Sequence, residues 1–299
     1  MIRRSDLEDR VADVLEKSNF DVLRYHGCFD IAAKRKKILL LKVLVNIDSF
    51  QEQQSENLKI VSKSLCAFPL LIGMRTNKEK LKENIIYERF YLTTMNPETL
   101  ENIFSSFSPK IFRKRGGMFV DIYPERLRLA RERRGLTQEE LAKKVGTTKK
   151  TIYEHEKTEK KMSKEFAIKL EKVLDKNIIK PFALKETVFE NIEKKPKTRF
   201  ETEVFREFRR IGFDANFVEQ KPFNIIVKSK KEKMILTKAE TQKRCQKIDE
   251  LKKLSAFFKS LPLLITKEKG LKLSVPTLEK TELNEFKSAN ELMKFLKSF

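Results

Sequence analysis

Tryptophan is absent from the 299 residues, and histidine and cysteine number only two and three. With only His26 and His155 present, neither has a second nearby histidine with which to build a metal centre or a base relay, and a packing or surface role is expected for His155. Cys28, Cys66 and Cys245 lie far apart with no CxxC spacing. That excludes a zinc ribbon or a disulfide frame and predicts reduced, buried thiols in a cytoplasmic protein. Long apolar runs are missing too. The most apolar stretch, KILLLKVLV, is broken by Lys42 and is too short to span a bilayer. The N-terminal MIRRSDLEDR is charged and lacks the apolar centre of a signal peptide. No membrane partner, metal or cofactor is expected. Acidic residues are in deficit, 43 against 65 Lys plus Arg, which leaves a formal charge of +22. Such an excess calls for a polyanionic partner, and nucleic acid is the first candidate. The lack of Trp beside abundant Lys, Glu and Phe fits a high growth temperature.

The chain is long enough for two or three domains, and a hydrophobic fraction of 40% supplies real cores. An internal repeat organises it. The first copy reads LEDRVADVLEKSNFDV, CFDIAAKRKKILLLKVLV and LCAFPLLIG; the second reads FETEVFREFRRIGFDA, PFNIIVKSKKEKMILTKAE and AFFKSLPLLIT. Each begins with an amphipathic helix, Leu7, Val11, Val14 and Leu15 matching Phe200, Val204, Phe205 and Phe208. A β-hairpin follows, Phe29 to Ala33 with Ile38 to Val45, or Phe223 to Lys228 with Met234 to Lys238. A polar helix and a short apolar strand complete the unit, which reads as an α/β fold with its sheet buried under helices.

Between the copies lies a helical insert. FRKRGGMFVDIYPE marks its start with a Gly pair and a Pro, and LKETVFENIEKKPKTR marks its end. Residues 113–185 hold 21 Lys or Arg against 11 Asp or Glu, so a quarter of the chain carries nearly half the net charge. Pro124 opens a first helix and Gly135 ends it. Thr137 with Glu140 forms a capping box for a second. Gly146 suits a left-handed turn, and Thr148 caps a third helix, KKTIYEHEK. Ile152 faces inward there, while Lys149, Lys150, Tyr153, Glu154 and Lys157 face out. Two lysines in a first turn oppose the helix dipole, so stability does not ask for them, but a polyanion does.

Gly135 to Lys157 resembles the helix-turn-helix of Cro/CI-type (XRE-like) repressors, and the likeness extends from about Pro124 to Leu174. The resemblance implies a DNA interface made by Gln138, Thr148, Lys149, Lys150, Thr151, Tyr153, Glu154 and Lys157. It also implies an internal ion pair between Arg131 and Glu156. Gln138 and Thr148 would hold phosphates of double-stranded DNA. Lysine would donate to guanine O6 and N7, and Glu154 would accept from cytosine N4.

The flanking copies resemble the PD-(D/E)xK nuclease fold, especially Holliday-junction resolvases. That chemistry needs an Asp, a second acid and a Lys converging on Mg²⁺. Copy one keeps Glu8, Asp30 and Lys42 but has only Leu and Val beside Lys42; copy two has Asn224 in place of the Asp. No catalytic residue is therefore expected. The overall layout is similar to archaeal HTH-type transcriptional regulators. The expected organisation is an α/β domain over residues 1–112, an all-α helix-turn-helix domain over 113–185 and a repeated α/β domain over 186–299. The expected protein is a non-enzymatic, homodimeric DNA-binding regulator. Two alternatives stand beside it: a DNA-processing nuclease, and a bridging factor that docks the transcription machinery through the same four helices.

Overall fold

The computed structural model describes residues 2–184, 192–219, 222–229, 233–241, 247–267 and 273–298. Helix α1 (Arg4–Lys17) buries Leu7, Val11, Val14 and Leu15, the stripe that three- and four-residue spacing predicts. Strands β1 (Asp21–Arg24), β2 (Ile31–Lys34) and β3 (Ile38–Asn46) follow, then α2 (Glu52–Leu65) and β4 (Ala67–Arg75). A second hairpin, β5 (Ile85–Arg89) and β6 (Leu92–Met95), leads to α3 (Pro97–Phe104). A third is made of β7 (Ile111–Lys114) and β8 (Gly117–Ile122).

The helical segment then runs through α4 (Pro124–Arg133), α5 (Gln138–Val145), α6 (Lys149–Lys157) and α7 (Lys164–Leu174). Two short strands, β9 (Met162–Ser163) and β10 (Ile179–Lys180), flank α7. The second copy comprises α8 (Arg199–Arg210), β11 (Asp214–Phe217), β12 (Ile225–Lys228), β13 (Met234–Glu240), α9 (Ile248–Phe257), β14 (Leu261–Thr266) and β15 (Thr277–Glu279). Helices α10 (Lys280–Glu285) and α11 (Ala289–Lys297) end the chain.

The larger sheet is ordered β1-β2-β3-β4-β6-β5-β7-β8-β10, with β9 on β8; the smaller is β11-β12-β13-β14-β15. Both copies thus run helix, three strands, helix, strand, with equivalent strands in equivalent places. In each, the strand after the second helix gains a parallel neighbour, Leu70↔Thr93 in the first and Leu264↔Thr277 in the second. The chain packs as two compact units, Met1–Asp21, Leu41–Phe50 and Leu70–Lys185 in one, and Val22–Leu40, Gln51–Pro69 and Glu186–Phe299 in the other.

In the second copy Phe200, Val204 and Phe208 of α8 pack with Ala215, Phe217, Ile225, Val227 and Ile235 of the sheet. Phe205, expected in that stripe, only borders the core, with the Arg209 guanidinium 4.5 Å from its ring centre. The expectation of buried thiols needs correction as well. Cys28 is buried, but Cys66 is exposed, because it ends α2 in a left-handed conformation (φ +50°) rather than pointing into the core. Cys245 lies outside the described residues.

The helical segment has its own core. Leu127, Ala130, Leu141, Ala142, Val145, Ile152, Ala167 and Leu170 meet there, joined by Val120 and Ile122 of β8. Gly146 closes α5 at φ +75°, and a Cβ added to it would meet nothing within 4 Å. Gly146→Ala should therefore cost only its backbone strain, about 1–2 kcal/mol in thermal unfolding, with no packing penalty.

Candidate nucleic-acid interface

Local bonds fix both helices of the turn. At α5 the Glu140 N–H donates to Thr137 Oγ1 (3.2 Å) and the Thr137 N–H donates to Glu140 Oε2 (2.7 Å). The bond from the Thr137 N–H, more than any other, holds the Glu140 carboxyl below its usual range. At α6 the Thr151 N–H donates to Thr148 Oγ1 (3.2 Å), and the two hydroxyls lie 3.0 Å apart. Two of the orphan amides that every helix start leaves are satisfied this way.

Ile152 and Glu156 are the buried residues of α6, and Lys149, Lys150, Tyr153 and Lys157 are exposed. Thr151 and Glu154 are half-buried. Glu154 is paired with Lys160 at 3.1 Å, and that hydrogen bond lowers its pKa. His155 leans on Phe166, ring centres 6.3 Å apart, and burial pushes its pKa down.

An ion pair ties α4 to the end of α6. Arg131 Nε donates to Glu156 Oε1 (2.6 Å) and Nη2 to Oε2 (3.1 Å), while Nη1 caps the Leu136 carbonyl (2.8 Å). The carboxylate is almost wholly buried, its side chain 2% exposed. Gln138 Nε2 also donates to Glu156 Oε2, at 2.8 Å. Arg131, Gln138 and Glu156 are thus joined in one bonded frame from α5 start to α6 end, and Lys149, Lys150, Tyr153 and Lys157 are exposed on the helix it holds. The Gln138–Glu156 bond was not foreseeable, because it joins residues eighteen apart and depends on how α5 and α6 dock.

A second feature was missed. The FRKRGG stretch, read as a boundary marker, is the β7–β8 hairpin, with Gly116 (φ +97°) and Gly117 (φ +144°) at its turn. The alternation in IFRK and GMFVDI around that pair is the signal that could have shown it. The hairpin is fastened to the helices. Phe119 and Val120 pair with Ser163 and Met162, and Asp121 and Ile122 with Lys180 and Ile179. Lys161 donates to Asp121 at 2.8 Å and sits 3.1 Å from the Phe112 ring centre. Half-burial lowers the Lys161 pKa, and the Asp121 bond opposes that.

The second-copy counterpart of a nuclease centre is a cavity of about 530 Å³, lined by Glu201, Asn224, Lys238 and Glu240 among others. Asn224 is fully committed within it. Its Nδ2 donates to Glu201 Oε1 (2.8 Å) and to the Ala239 carbonyl (2.9 Å), and its Oδ1 accepts from the Ala239 N–H (2.8 Å). Lys238 is ion-paired with Glu240 at 2.6 Å. An amide that turns its N–H groups onto the carboxylate does not fit a Mg²⁺ site, which needs oxygen donors. In the first copy Asp30 and Lys42 are both buried, and Leu40, where a second acid would stand, is fully buried. The strand thus lacks the acid that the nuclease pattern places two residues before its lysine.

Residues 4–109 match the PD-(D/E)XK superfamily domain and residues 127–179 match the Helix-turn-helix family. Fold and site therefore define a class of chain in which a nuclease-superfamily α/β domain precedes a helix-turn-helix. A Pyrococcus furiosus protein named "Putative HTH-type transcriptional regulatory protein" is 34% identical over 91% of this chain and 89% of its own length. Proteins of the same name from Pyrococcus abyssi (32%, 99% of this chain and 98% of its own) and Methanocaldococcus jannaschii (31%, 100% and 98%) match end to end. The chain belongs to this archaeal family of HTH-type transcriptional regulatory proteins. No solved structure matches it. No helix among the described residues is long and apolar enough to cross a membrane.

Proposed function

We propose that the chain is a cytoplasmic, sequence-specific regulator that lays α6 in the major groove of double-stranded DNA. The carrying observation is that α6 presents Lys149, Lys150, Tyr153 and Lys157 to solvent from a helix locked by Arg131, Gln138 and Glu156. On this reading Lys149, Lys150 and Glu154 face base edges, while Thr148 and Thr151 meet the backbone at the helix start. An amide carries two N–H groups, so the Glu156 bond leaves Gln138 one for a phosphate. The organisation into residues 1–112, 113–185 and 186–299 is part of the proposal, with the α/β copies as scaffold and dimerisation surface. One chain supplies one recognition helix, and a stable operator complex usually needs two half-sites about one helical turn apart. A homodimer follows from that geometry. Selection from a random DNA pool should enrich a palindrome; no enriched sequence would sink the reading and favour docking to transcription machinery.

The flanking copies are proposed to be inactive as nucleases, because copy one has Leu40 where the acid before Lys42 would stand and copy two has Asn224 in place of the Asp. Linear and four-way-junction DNA incubated with Mg²⁺ or Mn²⁺ and the protein should remain uncut. Cleavage that disappears in Asp30→Ala would establish a nuclease instead.

A further inference from the structure

We propose that the helical segment carries a ligand pocket on the side of α4 turned away from α6, and that it takes a small phosphorylated anion through Arg126, Arg133 and Lys176. The inference goes beyond the DNA-binding reading and does not depend on it.

The pocket is a cavity of about 880 Å³ between α4 and the turn that follows α7. Small-molecule sites usually enclose ~300–1,000 Å³. Arg126, Leu129 and Arg133 line it from α4, at the three- and four-residue spacing that puts side chains on one helical face. Leu129 and Arg133 each stand two residues from Arg131, roughly 160° around the helix. Arg131 holds Glu156 of α6, so the cavity and the proposed DNA face use different sides of α4.

The opposite wall is fixed without a ligand. α7 ends at Asp175, which takes φ +51°, and Lys176 and Asn177 follow it along the cavity. The Lys176 N–H donates to the Glu171 carbonyl at 3.3 Å. Ile178 is then fully buried, its carbonyl accepts from the Tyr123 N–H (2.9 Å), and Ile179 pairs with Ile122 of β8. A preformed wall spares an incoming ligand the cost of ordering it.

Four cations and two carboxylates line the cavity, and both carboxylates are engaged. Glu171 Oε1 accepts from the Ile178 and Ile179 N–H groups, at 2.8 and 3.0 Å. Asp175 pairs with Arg134 at 3.2 Å, and Arg134 Nε also donates to the Leu174 carbonyl at 3.3 Å. The other three cations have no carboxylate partner among the described residues. Arg133 and Lys176 are exposed, and the Arg126 guanidinium lies over the Tyr123 ring, 4.1 Å from its centre. The helix dipole accounts for Arg133 in the last turn of α4 but opposes Arg126 in its first. Three like charges around one cavity repel each other, and an anion among them relieves that repulsion. A diphosphate supplies several anionic oxygens on a compact frame, and a guanidinium fork bonds two of them at once. Leu129, 40% exposed beside Ala130 and Leu174, gives an apolar wall against which the body of an organic phosphate can lie.

The test is calorimetric titration of the full chain with inorganic pyrophosphate and with ATP, both without divalent cations. One saturable site per chain is expected. Arg133→Ala and Lys176→Ala should each weaken it roughly tenfold, and since both side chains are exposed neither change should disturb the fold. The double variant Lys149→Ala with Lys150→Ala should bind pyrophosphate as the parent does. Amide exchange in the bound chain should slow over α4 and residues 171–179. Tighter binding of ATP, reduced by Leu129→Ala, assigns an organic phosphate; equal binding of the two, indifferent to Leu129→Ala, assigns the phosphates alone. Absence of saturable binding overturns the pocket. So does binding that is lost with Lys149 and Lys150 but kept in Arg133→Ala and Lys176→Ala. If those two variants weaken DNA binding and leave pyrophosphate untouched, this wall belongs to the DNA surface and the pocket is again overturned.

Discussion

Arg131→Ala should destabilise the helical segment by about 3–5 kcal/mol, because it strands the Glu156 carboxylate in the interior. The carboxylate side chain is 2% exposed and would keep only Gln138 as a donor. The Leu136 carbonyl would lose its cap from Arg131 Nη1 as well. Deleting one member of a buried pair differs from replacing both, since much of the cost is the charge left behind. Arg131→Met with Glu156→Leu should therefore recover most of the loss. Arg131→Lys should recover little, because an ammonium cannot span both carboxylate oxygens as the guanidinium does here. Amide hydrogen exchange over α4 to α7 reads this segment by itself, which matters in a chain of several cores. Protection in Arg131→Ala within about 1 kcal/mol of the parent would show that the pair does not hold α6 in place.

The helices of this segment were legible because their determinants are local. Thr137, Glu140, Gly146 and Thr148 act within four residues of the bonds they make, and α5 begins and ends, and α6 begins, where those residues put them. Arg131 and Glu156 entered through resemblance, and the structure places them 2.6 Å apart. The repeat was legible from the order of amphipathic segments. Strands β5 to β10 were not. All six are two to six residues long, too short for alternation to stand out, and β5 owes its place to a parallel partner more than twenty residues away. β9 and β10 exist only because β8 is there to pair with them. The turn that joins β5 to β6 was hidden for a different reason: Phe90 and Tyr91 stand there at φ +48° and +63°, and bulky side chains contradict the rules by which such turns are found. The exposure of Cys66 has a similar origin in a left-handed residue that composition does not announce.

Lys149→Ala and Lys150→Ala should each cost roughly 1–3 kcal/mol of binding on the selected site if the side chain reads a base. Both residues are exposed in the first turn of α6, where no acidic side chain balances them. Their charges oppose the helix dipole, so removing either should leave the fold as stable as before or slightly more so, by some tenths of a kcal/mol. Affinity and stability then move in opposite directions, which a structural role for these lysines would not produce. The mode of contact separates on two DNAs. A base-reading lysine loses affinity on the selected site, relaxes preference at one base pair and changes little on scrambled DNA. A phosphate clamp weakens both sequences alike and lowers the salt slope by about one. If Glu154, which pairs with Lys160 at 3.1 Å, accepts from a base on the proposed reading, it would refuse a base that lacks a donor. Glu154→Gln should therefore broaden the preference at one position while leaving the lysine effects in place. Equal losses on both DNAs for both lysines would remove base reading but keep DNA binding. No loss for either would place α6 outside the groove, and the four helices would then be a docking module for protein.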